Sequence, residues 1–98
     1  MVARWAERPI GPWSREITIF DPQREGAYGH YMQLPGSGLP SVPDASGLPD
    51  EQGLAYGAFI LSPLTQWHSV DQTVELHYLL STWRPCQVHH MRSRFSLD

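Results

Sequence analysis

Hydrophobic positions are densest between Leu54 and Trp83. Residues 54 to 62 form an almost unbroken apolar run ending at Ser62-Pro63, the pattern of a buried strand. Residues 65–70 and 73–81 read as a hairpin turning at Asp71-Gln72. Val74, Leu76, Tyr78 and Leu80 alternate with more polar neighbours, and the segment is rich in β-branched and aromatic residues. No Gly or Pro interrupts 73–81, so a helix there is the rival reading. After Trp83-Arg84-Pro85 breaks the pattern, residues 87–95 alternate again. Val88, His90, Arg92 and Arg94 fall on one side, and His89, Met91, Ser93 and Phe95 on the other, which predicts a last strand.

The first half of the chain is more broken. Residues 1–13 place Trp5, Ile10 and Trp13 among Pro9, Gly11 and Pro12, which predicts a non-helical aromatic arm docked on the body or on a neighbouring subunit. Residues 15–20 alternate as a strand that Asp21-Pro22 closes with a turn. Residues 30–34 allow a short strand. Residues 35–53 hold four Pro, four Gly and three Ser and form a long loop, read either as a mobile cover over an apolar rim or as a disordered connection.

Composition narrows the function classes. Ninety-eight residues with a 41% apolar share imply one globular domain spanning 1–98. The net charge of −3 offers no cationic excess to neutralise phosphates, which argues against a nucleic-acid partner. All seven cations are Arg, the residue suited to bidentate and interfacial contacts. Cys86 is the lone cysteine, so no intrachain disulfide can form. The first residues lack the apolar core of a secretory signal, and no apolar run is long enough to span a bilayer as a helix. These features predict a cytoplasmic protein with no membrane partner.

Candidate chemistry sits in the hairpin. A plain register about Asp71-Gln72 sets Val70 against Thr73, His68 against Glu75 and Gln66 against His77. Opposed residues share a face, with Cβ atoms roughly 5 Å apart. His68, Glu75 and His77 then meet on one face, while Trp67, Val74, Leu76 and Tyr78 line the other. Two imidazoles and a carboxylate with open positions suit a divalent transition metal such as Fe, Mn, Ni or Zn. The plainer reading of the same residues is the solvated side of an amphipathic hairpin. A one-residue slip would send His68 to the opposite face and dismantle the site. His89 and His90 point to opposite faces, so at most one joins any single site. Glu25, Asp71 and Glu75 offer acid–base groups without a spacing rule that pairs them. Cys86 after Arg-Pro reads as a small packing residue rather than a nucleophile. No residue set specifies a reaction.

Several of these segments resemble the cupin-5 branch of the cupins. Trp67-His68-Ser69-Val70-Asp71 followed by His77-Tyr78 is similar to that branch's W-H-x-V-D…H-[FY] core, and Glu25-Gly26-Ala27-Tyr28 to its E-G-G-Y segment. The apolar strand Gly57 to Leu61 precedes the core as it does there. The resemblance covers about residues 22–91. It implies a small antiparallel β barrel or jelly roll with a cavity for a small polar ligand. The carried-over metal positions are His68, Glu75 and His77. Tyr78, Trp67 and His90 are the expected ligand contacts, and catalysis would need a proton donor or acceptor, for which His77 or Tyr78 would serve. The branch's acid lies one place nearer its first histidine, and Ser81-Thr82-Trp83 stands where it has a Gly-rich turn. Its barrel also continues beyond the position of Asp98. A shortened barrel leaves edges open, which two copies would repair by pairing them, so a homodimer is expected. The alternatives are a non-catalytic homo-oligomeric binding or interaction module, and an α+β fold with 73–81 helical.

Overall fold

The computed structural model describes residues 1–32, 53–83 and 86–97. These residues are mainly β and contain no helix. Six strands run in chain order: β1 (Val2–Ala3), β2 (Ile17–Thr18), β3 (Leu54–Ile60), β4 (Gln66–His68), β5 (Thr73–Trp83) and β6 (Gln87–Ser96). The alternation across 73–81 is realised as a strand, not a helix, because every second residue finds a core on one side only. None of the strands belongs to a helix-crossed parallel unit, and no helix is long and apolar enough to cross a membrane among the described residues.

β5 is the spine. β6 pairs along its whole length, from Thr73↔Ser96 to Thr82↔Gln87. On the other edge β3 covers the far half, Ile60↔Tyr78 to Leu54↔Trp83, and β4 covers the near end, Gln66↔Glu75 to His68↔Thr73. Leu61–Thr65 turns between them, held by Thr65 Oγ1 donating to the Leu61 carbonyl at 3.1 Å and by the His77 N–H donating to Thr65 Oγ1 at 3.2 Å. A bulge at Gly57 takes up one extra residue between Tyr56 and Phe59; Gly57 has φ 64°, the left-handed conformation such bulges require. β1 and β2 form a separate two-stranded sheet. Neither sheet closes into a barrel. The outer edges of β3 and β6 find no strand partner among the described residues, so the expected barrel or jelly roll is seen here as an open antiparallel sheet.

One face of that sheet carries the core. Val74, Leu76, Tyr78, Leu80 and Thr82 of β5 alternate onto it, joined across the register by Phe95, Ser93, Met91 and His89 of β6. Phe20, Ala27 and Met32 cover it from the N-terminal half. Burying each large apolar side chain here contributes about 1.5–3 kcal/mol. The cover is a run of turns. Gln23 and Arg24 donate to Asp21 Oδ1, and the Ala27 carbonyl accepts from the N–H groups of His30, Tyr31 and Met32 at 3.1, 3.0 and 3.0 Å. Gly26 and Gly29 at positive φ coil this segment, so 30–32 is a turn joined by an isolated Tyr28–Met32 bridge rather than the start of a strand. The strand expected over 15–20 is limited to Ile17–Thr18.

Two expectations from the apolar pattern change. The run at 54–60 is a strand, but an exposed one: all seven residues of β3 are exposed, on both faces, Phe59 at 65% and Leu54 at 61% of their full surface. It is an edge strand, and no described segment packs over it. The aromatic arm is folded back as a loop, with Ser14 N–H donating to the Trp5 carbonyl at 2.8 Å and Trp5 N–H to Ser14 Oγ at 3.1 Å. Trp13 stays half-exposed, beside a shallow cavity of about 540 Å³ between the two tryptophans. The loop expected over 35–53 lies outside the described residues apart from Gly53, which is buried.

Candidate functional site

The second face of the sheet carries the chemistry. Glu75 and His77, two apart on β5, share it by strand periodicity, and His90 of β6 joins them because Leu79↔His90 and His77↔Arg92 are paired neighbours. Their heads form a chain: Glu75 Oε1 lies 3.0 Å from His77 Nε2, and His77 Nδ1 lies 2.9 Å from His90 Nε2. The two rings are tilted by 46° with centroids 5.1 Å apart. An ionised carboxylate only accepts, so His77 Nε2 carries the hydrogen. In the neutral ring Nδ1 is then the acceptor, and His90 Nε2–H donates to it.

The fixed proton positions have an electrostatic cause. The His77 hydrogen bond holds the Glu75 carboxyl below its ordinary value of 4.5, with the positive charge of Arg92 acting in the same direction against partial desolvation. Both side chains are partly buried, His77 16% and Glu75 21% exposed, while His90 is exposed. The chain can pass a proton between ring nitrogens or present an imidazole lone pair to a cation.

The other expected site residues are placed apart. His68 opposes Thr73, not Glu75, because the turn takes four residues, Ser69–Gln72, with Gln72 at φ 55° and its side-chain amide donating to the Ser69 carbonyl at 2.8 Å. The register is displaced by two residues, so His68 keeps its face but stands one step beyond Glu75. Its Nε2 is buried without a hydrogen-bond partner. The heads of His68, Glu75 and His77 therefore do not converge: Glu75 occupies the side of His77 that faces away from His90. No group of three or more His, Cys, Asp or Glu side chains is arranged to hold a metal ion among the described residues. Tyr78 lies on the core face, 1% exposed, its hydroxyl 3.1 Å from Ser93 Oγ, and burial pushes its phenol above 10.0. The sheet separates it from His77. Trp67 opposes Val74 on that same side and is half-exposed. His89 is on the core face too, its ring tilted 48° against that of Tyr31 with centroids 4.7 Å apart. Cys86 is exposed in the β5–β6 connection.

A second polar group closes the near end of the sheet. Asp71 accepts from Thr73 Oγ1 at 2.7 Å and pairs with the Arg94 guanidinium, which also donates from Nε to Thr73 Oγ1 at 3.2 Å. The Thr73 hydrogen bond, ahead of the charge of Arg94, holds the Asp71 carboxyl below 3.8. This cluster pins the turn.

The far end of the same face is apolar. Leu54 opposes Trp83 and Phe59 opposes Leu79, with Tyr56 and Val88 flanking Ser81 from either side. Leu54, Tyr56, Phe59, Trp83 and Val88 are all exposed. The Glu75–His77–His90 chain sits at the border of this patch, with Leu79 directly across from His90. Comparison with protein-family models, curated proteins and solved structures finds no match to this chain.

Proposed function

We propose that this chain is a self-associating β module in which the open sheet face closes against the same face of a second copy, giving a two-layer sandwich with a small-ligand site at its border. The observation that carries the reading is the exposure of Leu54, Tyr56, Phe59, Trp83 and Val88 on one face. Contiguous exposed apolar side chains with a polar margin mark association surfaces. A second copy supplies the same apolar surface, which is what an isologous two-fold interface needs. Aligned sheets pack about 10 Å apart, a gap that side chains of this size fill from both sides. In this reading the sheet face left open among the described residues is covered by a partner.

Light scattering on size-exclusion peaks at micromolar concentration tests it. The expected mass is twice that of the chain, with Phe59→Asp shifting it to the monomer while the β spectrum is retained. A wild-type monomer at those concentrations would remove the reading.

A second reading is favoured by the Glu75–His77–His90 chain: a monomeric, cupin-like binder of a small polar ligand, assisted by a divalent metal. A partly buried imidazole and an exposed one beside an apolar wall suit a ligand with one charged or hydroxyl-bearing end. Chemical-shift changes at His77 and His90 on adding small carboxylates or sugars, in a protein of monomer mass, would favour this reading over the first.

A further inference from the structure

We propose that His77 Nδ1 and His90 Nε2 form half of a divalent metal site that two copies of the chain complete, four imidazole nitrogens holding one zinc-like ion between the apposed sheets. The proposal rests on the face-to-face association above and assigns it a bridging ion.

The geometry comes from the two nitrogens. They stand 2.9 Å apart with nothing between them but a shared proton. Two imidazole nitrogens bound at about 2.0–2.1 Å to one ion stand about 2.9–3.4 Å apart, for bond angles between square and tetrahedral. The spacing is that of a chelate, and the conversion takes an opening of up to a few tenths of an ångström with a swing of both rings, which turns the two lone pairs from the N–N line to a common point beside it. The proton leaves without a net charge change on the protein: His77 already has its Nδ1 lone pair outward, and His90 needs only to move its hydrogen from Nε2 to Nδ1.

Glu75 has a separate role. Bound to His77 Nε2 at 3.0 Å, it is on the far side of the ring from the ion and is not a ligand. It is the acceptor that fixes the tautomer and raises the basicity of the metal-binding nitrogen, the usual partner of a ligating histidine. It also offsets Arg92, which opposes His77 across the β5–β6 pairing. A single chain offers no third ligand here, since no described set of three such side chains converges. Two nitrogens bind zinc weakly. Four, in a tetrahedral set, bind it well, and imidazole suits Zn, Cu and Ni. His90 pairs opposite Leu79, and Leu79 opposite Phe59, so closing the apolar face on a second copy carries the second pair toward the first.

The test uses the untagged full chain, zinc chloride as the probe, and light scattering with equilibrium dialysis. The expected result is one zinc ion per two chains, a dimer that strengthens with zinc and weakens with EDTA, and loss of both effects in His77→Ala and in His90→Gln. Glu75→Gln keeps the stoichiometry and binds zinc 10–100-fold more weakly. His30→Ala, at an exposed turn, binds as wild type. Circular dichroism on each variant separates lost ligation from lost folding. A dimer indifferent to zinc overturns the metal site while leaving self-association intact. A monomer with and without zinc overturns both, and one zinc per chain with no change in mass overturns the bridging arrangement.

Discussion

His77 and His90 meet across the β5–β6 pairing one step out of direct opposition, their ring nitrogens 2.9 Å apart, while the other nitrogen of His77 is held by Glu75. The relationship gives the imidazole a single sense: Nε2 protonated toward the carboxylate, Nδ1 turned to its neighbour. A histidine on a solvated sheet face would exchange freely between tautomers.

That sense is measurable. Nitrogen-15 imidazole spectra near neutral pH should place His77 in the Nε2–H form, and Glu75→Ala should return it to a mixture. An unbiased mixture in the wild type would show that the Glu75 contact does not persist in solution.

Acid should act through the same carboxylate. Glu75 has its folded value lowered from 4.5, chiefly by the His77 hydrogen bond, and Asp71 has its own lowered from 3.8, chiefly by Thr73. For a depressed carboxyl the stabilising contribution is complete above the unfolded value and is lost as pH falls through the folded one. Urea midpoints should hold steady down to about pH 5 and decline below it. Glu75→Gln and Asp71→Asn should each flatten that decline, most visibly when combined. An acid limb unchanged in the double variant would place the responsible groups elsewhere.

Much of this arrangement was legible in the chain and some was not, for reasons that differ by residue. The alternation through Val74, Leu76, Tyr78 and Leu80 predicts both the strand and its buried side, because one-sided burial is what period two encodes. The hairpin register was displaced by two residues because a four-residue turn replaced the two-residue one; an even displacement preserves faces, so Glu75 and His77 stayed together while His68 moved past them. The meeting of His77 with His90 depends on where β6 enters after Trp83, which no local pattern records. Residues 54 to 62 predict a buried strand because continuous apolarity usually means cover on both sides, and β3 over Leu54–Ile60 is exposed. Composition does not say whether that cover is the same chain or another molecule.

Leucines on opposite faces give a direct comparison. Leu80 is 2% exposed in the core, whereas Leu54 lies on the open face. Leu80→Ala should cost about 2–5 kcal/mol through lost burial and a residual cavity. Leu54→Ala should stay within about 0.5 kcal/mol in dilute monomer and weaken association instead. Denaturation at low protein concentration, beside light scattering at high concentration, separates the two effects; equal losses of stability would mean β3 is covered in the monomer.

Ser93 links the two halves of the fold. Its single hydroxyl hydrogen goes to the Ile19 carbonyl at 2.7 Å, so at the 3.1 Å contact it must accept from Tyr78. Tyr78→Phe therefore removes one hydrogen bond and strands nothing, a cost of about 0.5–1.5 kcal/mol. Ser93→Ala removes both bonds and leaves the Tyr78 hydroxyl and the Ile19 carbonyl without their partner, so it should cost clearly more. Urea denaturation of both variants checks the order, and the reverse ranking would break the assignment of donor and acceptor.

The bulge in β3 sets which apolar side chains reach the open face, and Gly57 makes the bulge. At φ 64° a side chain is strained by the backbone alone, while a Cβ there would meet only Ser81 Oγ at an ordinary 3.8 Å. Gly57→Ala should therefore cost about 1–2 kcal/mol from conformation rather than collision. Gly57→Asn should cost less, because asparagine tolerates the left-handed region. Beyond stability, relaxing the bulge would slip Phe59 from opposite Leu79 and rotate it off the apolar patch. The expected outcome is a larger fall in association for Gly57→Ala than for Gly57→Asn, read as the dimer fraction across a dilution series. Equal stability in both variants and in the wild type would mean that β3 runs straight in solution.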